Sequence, residues 1–236
     1  MTQLEAGTAN VLATGSPAVV AIIDDDQMER ETWTNFLKDW GYTPVSMAGN
    51  YQNVDSLVDQ LIARHPDFIF CDNHLKKGGY ADFNGPQLAA TLNSLKMPSL
   101  VVTQYQDDDT IELRKWRASI PVILDKDEID EITLSQAFNK CSAEVVEGEV
   151  TDDRRSHRVL LKIDSIEKDR IIAFVDAWNP HKSVSFLSNQ LNHYISDVSE
   201  GDYFFAEVNI GAAEWRDLFF KNFERAPEPS SDDGLA

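Results

Sequence analysis

The sequence predicts a doubly wound α/β domain with a parallel sheet, followed by a small β-rich domain of barrel type. Three observations carry this expectation. Five short apolar runs alternate with five segments of helical periodicity over residues 18–141, the pattern of strands linked by crossover helices. After Cys141 the texture changes to short β-branched and aromatic segments separated by turn residues. Several apolar runs of the first half end on a carboxylate, a hydroxyl or an ammonium, and the carboxyl ends of strands are where open α/β sheets hold ligands.

Residues 18–26, "AVVAIIDDD", are a continuous apolar run closed by acid, as expected of a parallel strand buried on both faces. In "QMERETWTNFLKDWG", Trp33, Phe36, Leu37 and Trp40 fall at helical spacing with Gly41 as the stop, and both tryptophans are expected in the core. "YTPVSMA" is the second strand. In "NVDSLVDQLIARHP", Val54, Leu57, Val58, Leu61 and Ile62 share a helical face, and Pro66 lies beyond its end. "DFIFCD" is the third strand, followed by a long polar loop and a helix near "PQLAATLNSL" carrying Leu88, Leu92 and Leu95. "SLVVTQ" is the fourth strand, "DDTIELRKWRA" a short helix and "PVILDK" the fifth strand. The helix "EIDEITLSQAFNKC" closes the series with Ile129, Ile132, Phe138 and Cys141 apolar.

The second half reads differently. "SAEVVEGEVTDDRRS" is charged and unpatterned, so residues 142–156 read as a linker, or an edge strand followed by a linker. "HRVLLKIDSI", "RIIAFVDAW", "SVSFLSNQL", "DYFFAEVNI" and "LFFKNF" are short strand candidates, with "WNPHK" and "SEGD" among the turns. Five short strands over residues 157–225 suggest a closed or partly closed barrel, which removes exposed edges. Residues 1–17 read as a flexible leader without the features of a secretion signal, and residues 226–236 as a disordered tail.

Bulk properties narrow the function. The 236-residue chain carries a formal charge of −19, shared as −10 over residues 1–140 and −9 over 141–236. Such a field opposes phosphate backbones and anionic membranes, so nucleic acid is a disfavoured partner. No apolar run approaches the roughly 20 residues that span a bilayer. The two cysteines, Cys71 and Cys141, lack metal-ligand spacing, and a reducing cytoplasmic setting is the simplest reading. "DDRRSHR" at 152–158 is the basic cluster of the second half and reads as a solvated linker, as "KWR" at 115–117 reads as a solvated helix face.

In a five-stranded parallel sheet the C-terminal strand ends share one edge. This places Asp24 and Asp25 after strand one, Asp72 after strand three, Thr103 after strand four and Lys126 after strand five around one crevice. Clustered carboxylates raise one another's pKa unless a cation sits among them. Mg²⁺ is the natural occupant, being hard and oxygen-seeking. An Asp carboxylate there can act as nucleophile toward a phosphoryl group and become an acyl phosphate. Lys126 can pair with the phosphoryl oxygens and the Thr103 hydroxyl can donate to one of them.

The segments "IIDDD", "FIFCD", "LVVTQY" and "VILDK" in this order resemble the receiver domains of two-component response regulators, over roughly residues 18–141. The resemblance implies a flavodoxin-like sheet and a signalling protein rather than an enzyme. It implies phosphorylation of Asp72 by a sensor histidine kinase or a phosphotransfer protein. Asp24, Asp25, Asp72 and the backbone carbonyl of His74 would then hold Mg²⁺, with Thr103 and Lys126 contacting the phosphoryl group. It also opens the face around 115–117 to a homodimer or another partner. This chain departs from the family in having Lys76 four residues after Asp72 where receivers have Pro, and a longer loop before Asn84–Gly85. Gln104 follows the threonine in place of a small residue, Ile123 replaces the strand-five aromatic, and Asp127 replaces the proline after Lys126. Phosphorylation chemistry is therefore expected, with an unusual readout.

The second half lacks the basic recognition helix of DNA-binding regulators. Its strands are similar to OB-like or S1-like barrels, which bind single strands through aromatics and basic grooves. With the charge it carries, a protein-binding barrel is the preferred expectation, or a chain that acts mainly as a phosphoryl sink for a kinase. Two alternatives stay open: a nucleic-acid-binding regulator acting through that barrel, and a pseudo-receiver that binds partners without being phosphorylated.

Overall fold

The computed structural model describes residues 16–104 and 106–227, with the side chains of 106–109 and 192–196 left undescribed; most of the expected leader and tail thus lies outside the described residues. Two compact units divide the chain, one holding five parallel strands and the other grouping residues 107–118 with the segment from Val150 onward.

The first unit runs β1 (Val19–Ile23), α1 (Gln27–Asp39), β2 (Thr43–Ser46), α2 (Val54–Arg64), β3 (Phe68–Asp72), α3 (Gly85–Ser94), β4 (Ser99–Thr103), β5 (Ile123–Asp125) and α5 (Glu131–Ser142), with α4 (Gln106–Arg117) between β4 and β5 in the chain. All ladders are parallel and the strand order is β2-β1-β3-β4-β5, the flavodoxin-like arrangement. Alternate residues serve opposite faces, as the pleat requires. Val20, Ile22, Phe70, Leu100 and Val102 join Trp33, Leu37, Leu134 and Phe138 in one core. Ala21, Ile23, Ile69 and Cys71 join Leu57, Leu61, Leu88 and Leu92 in the other. With helices on both faces, a strand has no solvent side, which is why β4 is buried throughout.

Trp33 is buried against Phe70 at 4.7 Å between ring centroids, whereas Trp40 is only partly buried and stacks on Phe36. Ile62, Leu95 and Ile132, read in the sequence as apolar-face residues, are 47%, 50% and 69% exposed; each lies at a helix end or start, where the face has turned away from the sheet. The segment expected to be a linker begins with a π-helical turn, Ala143–Glu147, that continues α5. Val145 is buried in the first core and its carbonyl accepts the Lys96 ammonium at 2.7 Å. Gly148, at φ 78°, then ends the helix in the left-handed conformation.

The second unit contains β6 (His157–Glu167), β7 (Arg170–Val175), β8 (Asn179–Leu187), β9 (Tyr203–Val208) and β10 (Phe220–Arg225). They form one antiparallel sheet in the order β10-β9-β6-β7-β8. The outermost strands meet through their rings: Phe186 of β8 lies 5.0 Å from Phe220 and 5.3 Å from Phe223 of β10. The sheet is therefore curled, and aromatic packing joins its two ends. "WNPHK" departs from expectation: β8 starts at Asn179 and includes Pro180. As an outer strand in the ladder order it tolerates a residue that cannot donate a ladder hydrogen bond. "SNQL" likewise belongs to a 3-10 segment, Ser188–Asp197, rather than to a strand.

Helix α4 is built into this unit by buried cations. Arg114 is 1% exposed; its Nε donates to the Leu218 carbonyl at 3.0 Å and its Nη1 and Nη2 donate to the carbonyls of Ser185 and Trp215. The guanidinium also lies over the Trp215 and Phe220 rings. Arg117, of the expected solvated "KWR", is instead buried and pairs with Asp217 at 2.9 Å. Arg154, of the expected solvated "DDRRSHR", is also buried and donates to the Arg117 and Ala118 carbonyls at the end of α4. Carbonyls at a helix C-terminus have no intrahelical partner and favour positive charge, which accounts for the arginine there. No described helix is long and apolar enough to cross a membrane.

Arg114→Ala would strand three carbonyls and open a cavity, with an expected loss of about 3 kcal/mol or more. Urea unfolding monitored by tryptophan fluorescence checks this. Arg114→Lys is expected to recover little, because one ammonium cannot reproduce the guanidinium fork.

Candidate functional site

Strand order turns four separated segments into one edge. β1 ends at Ile23 and β3 at Asp72, β4 ends at Thr103, and Lys126 follows β5 directly. Their shared parallel direction brings these ends to one side of the sheet, in a cavity of about 280 Å³ lined by Asp24, Asp25, Asp72, Thr103 and Lys126, with Asp26, Glu29, His74, Lys77 and Gln104.

Lys126 organises the site. Its Nζ lies 2.8 Å from Asp24 Oδ2 and 2.8 Å from Asp72 Oδ1, and 3.9 Å from Glu29 Oε2. Asp24 is held further by the Asp26 amide, which donates to Oδ1 at 2.8 Å. Asp72 Oδ2 accepts the His74 amide at 2.8 Å. Asp25, the least buried of the three acids at the strand ends, accepts the Lys77 amide on Oδ2 at 2.6 Å. Asp26 caps α1 through the Met28 amide and pairs with the Lys77 ammonium at 2.5 Å.

Charge states follow from these contacts. Burial pushes the Asp72 carboxyl up to about 6, with Lys126 opposing and Asp24 adding to the rise. Burial also raises Asp25, against the pull of the Lys77 amide. The Lys77 ammonium holds Asp26 below the usual carboxylate range. Burial works against the Lys126 ammonium, but Asp72 and Asp24 more than reverse it, so its pKa lies above the ordinary value. Lys126 is therefore the fixed cation of the site and Asp72 the acid that is costly to ionise.

Asp24, Asp25 and Asp72 each offer an oxygen within 4.8 Å of the others. An all-oxygen set of this kind suits a hard divalent cation such as Mg²⁺, so the residues present fit the ion.

The structure brings Asp24, Asp25, Asp72, His74, Thr103 and Lys126 to the same cavity. Gln104 lines it too, whereas Ile123 is a buried core residue of β5 and Lys76 is exposed. Sequence reasoning passed over Asp26, Glu29 and Lys77. The third Asp of "IIDDD" and the lysine pair in the loop after Asp72 were the available signals. Gly85 is a further positioning residue. A Cβ built there would lie 1.8 Å from the Asp72 carbonyl oxygen and 2.9 Å from Cys71 Sγ. Only glycine lets the start of α3 approach the end of β3 this closely.

A doubly wound sheet with this acid cluster and lysine at its carboxyl edge defines a phosphoryl-accepting signalling domain. The chain belongs to the response regulator receiver domain family, whose model matches residues 20–138. Among solved structures it is similar to a receiver domain protein from Clostridium thermocellum (16% identity, TM-score 0.42, 54% of this chain and 95% of that one). It is similar to the signal receiver domain of an HD domain-containing protein from Pseudomonas fluorescens (15%, 0.43, 62% and 97%), and to a receiver domain from Methylobacillus flagellatus (20%, 0.40, 52% and 98%). No curated relative matches the chain.

Gly85→Ala is expected to destabilise the fold by about 1–3 kcal/mol or more, since backbone must move; urea unfolding measures it. Asp72 supplies a pH-dependent expectation. Its folded pKa of about 6 lies above the ordinary 3.8, so the folded state holds this proton more tightly than the unfolded chain. The contribution is fully present below about pH 4 and is lost as pH rises through 6. In metal-free buffer, the stability of Asp72→Asn relative to wild type should therefore shift in the variant's favour between pH 4 and pH 7, by up to about 3 kcal/mol. A pH-independent difference would contradict it.

Proposed function

We propose that this protein is a signalling protein phosphorylated on Asp72 by a sensor histidine kinase or a phosphotransfer protein. The observation that carries the reading is the Lys126 ammonium at 2.8 Å from both Asp24 and Asp72, inside a cavity where three carboxylates converge. A carboxylate oxygen of Asp72 attacks the phosphorus, the P–N bond of a phosphohistidine donor breaks, and its electron pair stays with the imidazole. Asp72 becomes an acyl phosphate. Lys126, already seated on Asp72, meets the arriving phosphoryl oxygens without moving far, which is the pre-positioning that phosphoryl transfer requires. The Thr103 hydroxyl, at the end of the neighbouring strand, donates to one of those oxygens. Asp24, Asp25, Asp72 and the His74 carbonyl would hold Mg²⁺, which would supply charge neutralisation.

In the same reading the β-rich residues 157–225 are an output module that binds another protein. The −9 charge of residues 141–236 favours this over nucleic acid. The two cysteines, free and buried, suit a reducing cytoplasmic setting.

Intact mass after incubation with acetyl phosphate tests the assignment. A phosphoryl adduct that requires Mg²⁺ and vanishes in Asp72→Asn is expected. A folded wild-type protein that gains no mass would replace this reading with that of a pseudo-receiver.

A further inference from the structure

Among the described residues, the cavity lining holds five carboxylates and two ammonium groups, Lys126 and Lys77. A phosphodonor is itself anionic, so the balance of charge around its entry path matters. The two lysines differ in how firmly they are held. Lys126 bridges two carboxylates and its side chain is 10% exposed. Lys77 has one carboxylate partner, Asp26, and its side chain is 69% exposed.

Its backbone is tethered at two points, while its side chain is held by one exposed ion pair, to Asp26. The Lys77 amide donates to Asp25 and its carbonyl accepts the Tyr80 amide at 3.2 Å. Gly78 follows at φ 63°, a conformation that glycine adopts without strain. Asp26 keeps the Met28 amide as the cap of α1, so departure of the Lys77 ammonium leaves no orphaned group behind. Exposed ion pairs of this type are weak and readily exchanged.

We propose that Lys77 is a second, mobile phosphate-contacting ammonium of this receiver: it leaves Asp26 and meets the incoming phosphodonor. This rests on the assignment of Asp72 as phosphoacceptor. The long loop after β3, which distinguishes this chain from its family, thereby acquires a role in admitting the donor. The same positive charge opposes a divalent cation at the neighbouring acids, so Lys77 acts with opposite sign on the two ligands.

The experiment uses the full chain as wild type, Lys77→Ala and Lys77→Arg. Acetyl phosphate is titrated at saturating Mg²⁺ with intact mass as readout, and Mg²⁺ alone is titrated by calorimetry. Lys77→Ala keeps the backbone amide on Asp25 and removes only the ammonium. It is expected to raise the half-saturating acetyl phosphate concentration by about two- to fivefold. Mg²⁺ affinity is expected to be equal or tighter, and Lys77→Arg to restore donor affinity. Unchanged donor affinity in Lys77→Ala, with wild type phosphorylated normally, overturns the role of Lys77 alone. Joint weakening of donor and Mg²⁺, not rescued by arginine, overturns it in favour of a purely structural loop contact. If wild type itself takes up no phosphoryl group while calorimetry still reports Mg²⁺ binding, the assignment of Asp72 falls, and that of Lys77 with it.

Discussion

The ammonium of Lys126, shared between Asp24 and Asp72, is the contact on which the arrangement of the site depends. Three carboxylates gathered at one sheet edge repel one another, and two of them are nearly buried. Removing such groups from water is costly unless opposite charge and hydrogen bonds replace it. Lys126 supplies the charge to two of them, and backbone amides of Asp26, His74 and Lys77 supply hydrogen bonds to all three. Burial nevertheless keeps Asp72 raised, so it remains the strained member of the set. A cation placed among these carboxylates would offset their repulsion.

The second unit applies the same rule to a different end. Arg114 and Arg154 are buried among backbone carbonyls rather than carboxylates. Asn209 likewise is buried, with its amide on the Asp153 and Asp217 carbonyls and its oxygen on the Phe219 amide. Each satisfies irregular backbone that a small curled sheet cannot pair within itself. Burial brings the Arg114 pKa down to about 10, which still leaves it charged at neutral pH. Helix α4, although it lies between β4 and β5 in the chain, is thus a structural member of the β-rich unit. Residues 107–118, shortly after Thr103 and Gln104 in the chain, belong to the β-rich unit.

Much of the first unit was legible because parallel strands buried on both faces must be apolar throughout, and runs such as "AVVAII" and "FIFC" carry that mark. The polar residues that line the cavity at the strand ends were legible for a related reason: a polar residue ending such a run has nowhere to sit but the carboxyl edge. The strands of the second unit were legible in number and approximate place. Their boundaries were not, because Pro180 reads as a turn unless its strand is known to be outermost. Short aromatic segments also do not announce which rings will meet, and the closure through Phe186, Phe220 and Phe223 is a contact between residues far apart in the chain.

The sequence by itself determined the doubly wound class, the order of the acids, threonine and lysine, and the charge that disfavours nucleic acid. These depend on local periodicity, composition and the fixed geometry of a parallel sheet. Only the tertiary structure decided which cations are buried on backbone and which line the cavity. Arg114, Arg117 and Arg154 look like solvated charges in the sequence and are buried on backbone or paired with Asp217, while Lys77, in the long polar loop after β3, stands at the cavity beside Asp26. A charged side chain carries no local signal of its partner, because that partner is chosen by where folding brings distant backbone and carboxylates together.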